Sequence, residues 1–101
     1  MDYISILNMV LLTLPSDEEE RRIAIEELKE NIDTKFTIYH TLCRGDGKLF
    51  GNTTSEDTEY PHILNLKKKY INDKDIVEVL DHWINKYHNI YIYFYSHKIT
   101  H

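Results

Sequence analysis

The segment from Ser16 to Ile32 constrains the fold more than any other part of the chain. Ser16 and Glu19 have the spacing of a capping box, and the acidic residues that follow Ser16 suit the positive end of a helix dipole. Because the outward face is charged, we expect an amphipathic helix that packs on one side only. Its core-facing residues, recurring at helical spacing, are Ala24, Ile25, Leu28 and Ile32.

Three further segments are predicted to be helical. Met1 to Leu14 is apolar, lacks a basic leading region and is too short to cross a bilayer, so it is predicted to be buried or covered by a partner. Pro61 to Ile71 begins with a proline, which suits a first helical turn, and Asp73 to Tyr87 begins with a capping aspartate. The predicted core positions of these two segments are Ile63, Leu66, Tyr70, Ile76, Leu80, Trp83, Ile84 and Tyr87.

Alternating β-branched and aromatic residues predict two strands, Thr34 to Cys43 and Asn89 to Ser96. Gly45-Asp46-Gly47 is typical of a tight hairpin turn, after which Lys48 to Thr53 is predicted to return as a shorter strand. The polar segment Asn52 to Glu59 is predicted to be a mobile loop. The expected fold class is therefore α+β, with a small antiparallel sheet of two to three strands and three to four helices in a single domain spanning residues 1–101.

Pairing of the two main strands would place four tyrosines on the sheet face away from the aliphatic core: Tyr39, Tyr91, Tyr93 and Tyr95. Tyrosine offers a large rigid contact area with a polar tip and is enriched at protein interfaces. This face is therefore predicted to bind a protein partner. The alternative is that helices cover the face, or that the rings form ordinary, half-exposed cross-strand pairs.

The acidic side of the Ser16 to Ile32 helix is the second candidate surface. Its predicted partner-binding residues are Glu19, Glu26, Glu27 and Glu30. Such a face could imitate a phosphate backbone and occupy the nucleic-acid channel of a host enzyme, although Arg21, Arg22 and Lys29 dilute its charge. The alternative is an ordinary solvated helix face.

No metal or cofactor site and no catalytic residue is predicted. His40 and Cys43 would point to opposite faces of a strand, and His82 and His88 to different sides of a helix, so neither pair can share a metal ion. Cys43 as a nucleophile would have His40 as its only nearby base and no third group to orient it. The sequence therefore favours a protein that is not an enzyme.

Composition narrows the choice of partner and compartment. A formal net charge of −5, with one basic run at Lys67 to Lys69, disfavours direct binding to nucleic acid. The single cysteine favours a reducing compartment such as the cytoplasm. Residues with AT-rich codons are abundant whereas Ala occurs once, which indicates a low-GC genome such as that of a phage, a large DNA virus or a low-GC bacterium.

The leading hypothesis is a non-enzymatic protein-binding module, encoded by a phage or virus, that blocks a host protein by direct contact. An immunity protein or antitoxin that neutralises a basic toxin nuclease is the first alternative, and a small metal-dependent hydrolase is the second. No membrane association is expected. A homodimer through the apolar N-terminal helix remains open, because a second copy could cover that helix.

Overall fold

A computed structural model describes the backbone of residues 2–45 and 55–99 and the side chains of residues 2–37 and 56–89. Over these residues the chain forms four helices: α1 (Tyr3–Leu12), α2 (Glu18–Gly45), α3 (Ser55–Lys69) and α4 (Lys74–Ile99). The described part of the chain contains no β-strand. The α+β prediction is therefore wrong, because the described residues form an all-helical fold.

The predicted strand Thr34 to Cys43 lies within α2. Phe36 is buried four residues beyond the buried Ile32, so the apolar stripe continues through another helical turn. The hydroxyl of the β-branched Thr37 donates to the carbonyl of Asp33, four residues earlier, at 2.8 Å. With neither glycine nor proline between Ile32 and Gly45, nothing stops the helix at Ile32.

The predicted strand Asn89 to Ser96 lies within α4. This helix runs on without a break from the core residues Trp83 and Tyr87. The backbone at the predicted binding tyrosines is therefore helical, and a two-residue alternation does not define a face on a helix with 3.6 residues per turn. The predicted tyrosine face of a sheet is wrong, and the four side chains concerned lie outside the described residues: Tyr39, Tyr91, Tyr93 and Tyr95.

The predicted turn begins at Gly45, the last described residue of α2, and the rest of it lies outside the described residues, as does Lys48 to Thr53. The predicted loop Asn52 to Glu59 is wrong from Ser55 onward, because α3 begins there. Pro61 consequently lies in the interior of α3 rather than in its first turn. Acidic residues in the first turn favour this earlier start, since they complement the positive end of the helix dipole.

The other predicted segments, Met1 to Leu14, Ser16 to Ile32 and Asp73 to Tyr87, are confirmed as helical, although α2 and α4 run well beyond the predicted ends. The helix predicted from Ser16 is capped by Asp17, whose Oδ2 accepts the backbone N–H of Glu20 at 3.0 Å. The predicted cap at Ser16 is therefore wrong, and Asp17 takes its place. Asp73 caps α4 as expected, because its Oδ1 accepts the backbone N–H of Ile76 at 3.3 Å.

Helix α4 lies at the centre of the packing, against both α2 and α3, while α1 packs against α3. Trp83 is fully buried and meets the ring of Phe36 edge-on, with centroids 5.0 Å apart. Tyr60 stacks on Tyr87, with centroids 4.7 Å apart. All four helices contribute to this core, whose buried apolar residues are Leu7, Leu11, Ile25, Ile32, Phe36, Ile63, Leu66, Ile76, Val79, Leu80, Trp83 and Tyr87.

Candidate interaction surface on α2

Arg21 points from α2 towards the start of α4 and is neutralised there. Its Nη2 lies 2.7 Å from Asp73 Oδ2, and its Nε lies 2.9 Å from Asp75 Oδ2. Hydrogen bonds to Asp75 and then Asp73 raise the pKa of the Arg21 guanidinium. The charge of Arg21 is therefore compensated within the contact between α2 and α4.

Lys29 makes the same kind of contact two turns later. Its ammonium lies 2.6 Å from Glu78 on α4 and 3.6 Å from Glu26 on its own helix. The hydrogen bond to Glu78 is the main reason why the pKa of Lys29 is raised. Farther along α2, Lys35 binds the carboxylates of Glu56 and Glu59 on α3. These three bases of α2 are thus engaged with neighbouring helices.

The opposite side of α2 carries glutamates around one exposed isoleucine. Ile23 is 49% exposed. Side chains three and four residues away on a helix are its surface neighbours, and here all four such positions are glutamates. We call this surface the outer α2 face; it comprises Glu19, Glu20, Ile23, Glu26, Glu27 and Glu30, all exposed.

The four glutamates predicted to bind a partner, Glu19, Glu26, Glu27 and Glu30, all lie on the outer α2 face. Arg21 does not dilute its charge, because it pairs with carboxylates of α4. Lys29 binds Glu78 of α4 and also lies 3.6 Å from Glu26 of the face. Arg22 is exposed beside the face. The face is therefore acidic, with Arg22 and Lys29 as the bases that border it.

The described histidines on α4 contact different helices. His82 Nε2 lies 2.6 Å from Asp33 Oδ1 on α2, and the ammonium of Lys86 lies 3.3 Å from the same oxygen. His88 Nε2 lies 2.7 Å from the hydroxyl of Tyr60 on α3. The prediction that His82 and His88 project to different sides is confirmed.

Burial alone would raise the pKa of Asp33, but the hydrogen bonds from His82 and Lys86 outweigh it, so the pKa lies below its usual value. No group of three or more possible metal ligands occurs among the side chains that the structure describes. The side chains of His40 and Cys43 lie outside that set. Within the described residues, no helix has an apolar stretch long enough to span a membrane.

Sequence reasoning missed two features of the charged surface. Ile23 lies off the predicted core stripe, and the spacing of glutamates around it is visible once the helix is assumed. The sequence predicts Glu56 and Glu59 in a loop and Lys35 in a strand. With those elements, the contact of Lys35 with the two glutamates cannot be predicted. Only the contact of Lys35 depends on helices that the strand and loop predictions had displaced, because the helix around Ile23 was predicted.

Neither the protein-family models, nor curated protein sequences, nor solved structures provide a match to this chain.

Proposed function

We propose that the chain is a non-enzymatic module that binds a protein partner through the outer α2 face. The observation that carries this proposal is an exposed isoleucine, Ile23, surrounded by glutamates, with the neighbouring Arg21 turned towards carboxylates of α4. An apolar centre within a charged rim is the usual anatomy of a protein interface. The face therefore combines one anchoring side chain with a strong local charge.

The partner that fits this face is a protein with a basic surface and a shallow apolar site. Nucleic-acid-binding proteins have such surfaces where they contact phosphates. Binding there would occlude the phosphate-binding surface, and the negative face would steer the encounter. An inhibitor of a nucleic-acid enzyme and an immunity protein against a toxin nuclease would both use this surface. A toxin gene beside the coding gene would favour the immunity protein.

Self-association through α1 is a second proposal, supported by a different observation. The sequence of α1 contains no charged residue, and its outward side chains form an apolar stripe. An uncharged apolar stripe is self-complementary across a twofold axis, so a second copy of the chain is the proposed partner. The exposed residues of the stripe are Ile6, Met9, Val10 and Leu12. We also infer a reducing compartment such as the cytoplasm, because Cys43 has no second cysteine to pair with.

An NMR titration with a synthetic peptide, in which lysines and arginines flank a central leucine, tests the outer α2 face. We expect shifts at residues 19–30 that weaken as salt is added, because exposed charges are screened. Replacing Glu27 and Glu30 with Gln should weaken binding roughly ten-fold, which corresponds to about 1.4 kcal/mol. Ile23→Ser should weaken binding without changing its salt dependence.

The matched control is the pair Asn65→Lys and Asn72→Lys, which changes the net charge equally at exposed positions away from α2. This control should leave most of the affinity intact at moderate salt. If both pairs of substitutions weaken binding equally, only the net charge matters and the proposed face is wrong. Shifts centred on another helix would also contradict it.

A further inference from the structure

A largely buried ionic cluster lies where α1, α2 and α3 meet. The ammonium of Lys35 lies 3.0 Å from Glu56 and 3.1 Å from Glu59, and the three side chains are 10 to 19% exposed. The same ammonium lies 4.2 Å from the centroid of the Tyr3 ring on α1. We call this group the Lys35 cluster. It joins the N-terminal helix to the rest of the fold through charged groups rather than through aliphatic packing alone.

Glu59 is the member of the Lys35 cluster whose negative charge is least compensated. Its carboxylate shares the ammonium of Lys35 with Glu56, and Asp2 at the start of α1 adds a further negative charge nearby. Tyr3 also faces it from α1, and from α4 the uncharged Trp83 lies beside Tyr3. Removing a carboxylate from water is costly unless it has a dedicated partner, and this one has a shared partner.

The balance of these effects raises the pKa of Glu59 above its usual value, because burial outweighs the favourable contact with Lys35. Burial and the nearby charge of Glu59 also raise the pKa of the Tyr3 phenol. Both groups lie where α1 meets the Lys35 cluster, with the Tyr3 ring over the Lys35 ammonium. Movement of α1 away from the cluster would rehydrate Glu59 and remove the penalty.

Helix α1 has few other attachments that would resist such a movement. It packs against α3, and it contributes the buried Leu7 and Leu11 to the core, with Tyr3 and Ile4 half-buried against that core. One side-chain hydrogen bond, from the Tyr70 hydroxyl to Asn8 at 3.1 Å, also ties it to the end of α3. Its outward face is exposed. Opening of α1 would therefore cost less than separation of α4 from α2 or α3.

We propose that the Lys35 cluster is a proton-sensitive latch, in which protonated Glu59 holds α1 closed and ionisation of Glu59 favours release of α1. An acid whose pKa is higher in the closed state favours closure most at low pH. This preference is lost as the pH rises from the usual value of 4.5 through the pKa of the closed state. Each unit of pKa difference changes the closing equilibrium about ten-fold.

The single tryptophan provides a readout, because Trp83 is fully buried beside Tyr3 of α1. Acrylamide quenching of its fluorescence would be followed from about pH 4 to about pH 8, together with hydrogen exchange of the α1 amides corrected for its intrinsic pH dependence. In the unmodified protein we expect quenching and α1 exchange to rise together with pH. In Glu59→Gln, which carries no titrating group at this position, both should stay low throughout.

The matched control is Glu18→Gln, an exposed glutamate in the first turn of α2 and far along the helix from Lys35, which should retain the pH-dependent rise. The proposal is overturned if the rise is absent from the unmodified protein, or if it persists unchanged in Glu59→Gln. Failure of Glu59→Gln to fold would overturn it as well, because the neutral side chain should pack more tightly than the charged one. Because Glu59 is not on the outer α2 face, these results are separate from the peptide titration.

Discussion

Single aspartate side chains decide where three of the four described helices begin. Asp2 accepts the backbone N–H of Ser5 at 2.8 Å, and Asp17 and Asp73 make the equivalent contacts at the starts of α2 and α4. Each carboxylate satisfies an N–H that has no partner within its helix and also places negative charge at the positive end of the dipole. These contacts join residues three positions apart, so they can be predicted from the sequence alone.

The identity of the α2 cap can be tested at two adjacent residues. Asp17→Ala should lower the free energy of unfolding by about 1 kcal/mol, because the N–H of Glu20 loses its acceptor. Ser16→Ala, at an exposed position outside the helix, should change it by less than about 0.5 kcal/mol. Urea unfolding measures both values. A larger loss from Ser16→Ala would show that the cap lies one residue earlier.

At the scale of the helices, α3 shows how packing can override a local preference. Pro61 lies in its interior, where proline removes a backbone hydrogen bond and crowds the preceding turn at a cost of about 3 kcal/mol. The turn before Pro61 is held by contacts with other helices: Glu56 binds Lys35, and Tyr60 stacks on Tyr87. These contacts stabilise a helical turn that the local sequence disfavours.

Replacing this proline tests where α3 begins. Pro61→Ala should raise the free energy of unfolding by about 1 to 2 kcal/mol, less than the full cost of an interior proline because proline also restricts the unfolded chain. Asn65→Ala, at an exposed position of the same helix, should gain only a few tenths of a kcal/mol. No gain from Pro61→Ala would indicate that the helix begins at the proline. Thermal or urea unfolding provides the comparison.

Helices were predicted correctly where a periodic apolar stripe follows a capping residue, as in the first halves of α2 and α4. The prediction failed in their second halves because short alternating runs rich in tyrosine, threonine and isoleucine fit a strand as well as a helix. In α2, the packing of Phe36 on Trp83 of α4 stabilises the helical conformation of the second half. That contact joins residues far apart in sequence, so no local pattern reports it.

At the scale of the whole molecule, the chain is elongated. Its principal extents are 50 × 24 × 22 Å and its radius of gyration is 15.0 Å, against about 13 Å expected for a compact domain of this length. The long helices α2 and α4, of 28 and 26 residues, account for this shape. An elongated bundle exposes more surface for its volume, and both the outer α2 face and the apolar stripe of α1 are part of that surface.

Self-association through α1 is tested by light scattering over a dilution series. Met9 is 53% exposed, so Met9→Glu should leave the core intact while it places a charge within the proposed dimer contact. We expect the unmodified protein to approach the mass of two chains at high concentration and Met9→Glu to remain at one. Asn65→Glu, with the same charge change on α3, should behave like the unmodified protein. A mass of one chain at every concentration would remove the dimer.

The sequence by itself determined the amphipathic character of α2, the apolar character of α1, the cap of α4 and the acidic residues of the candidate surface. These properties depend on spacing and charge within one segment, which the residues carry in any context. Only the tertiary structure decided that α2 and α4 continue as helices, that Arg21 and Lys29 turn towards α4, and that Lys35 meets Glu59 beneath α1. The physical reason is that the free energy of each of these arrangements comes from groups distant in the chain, and their proximity exists only once the helices have packed.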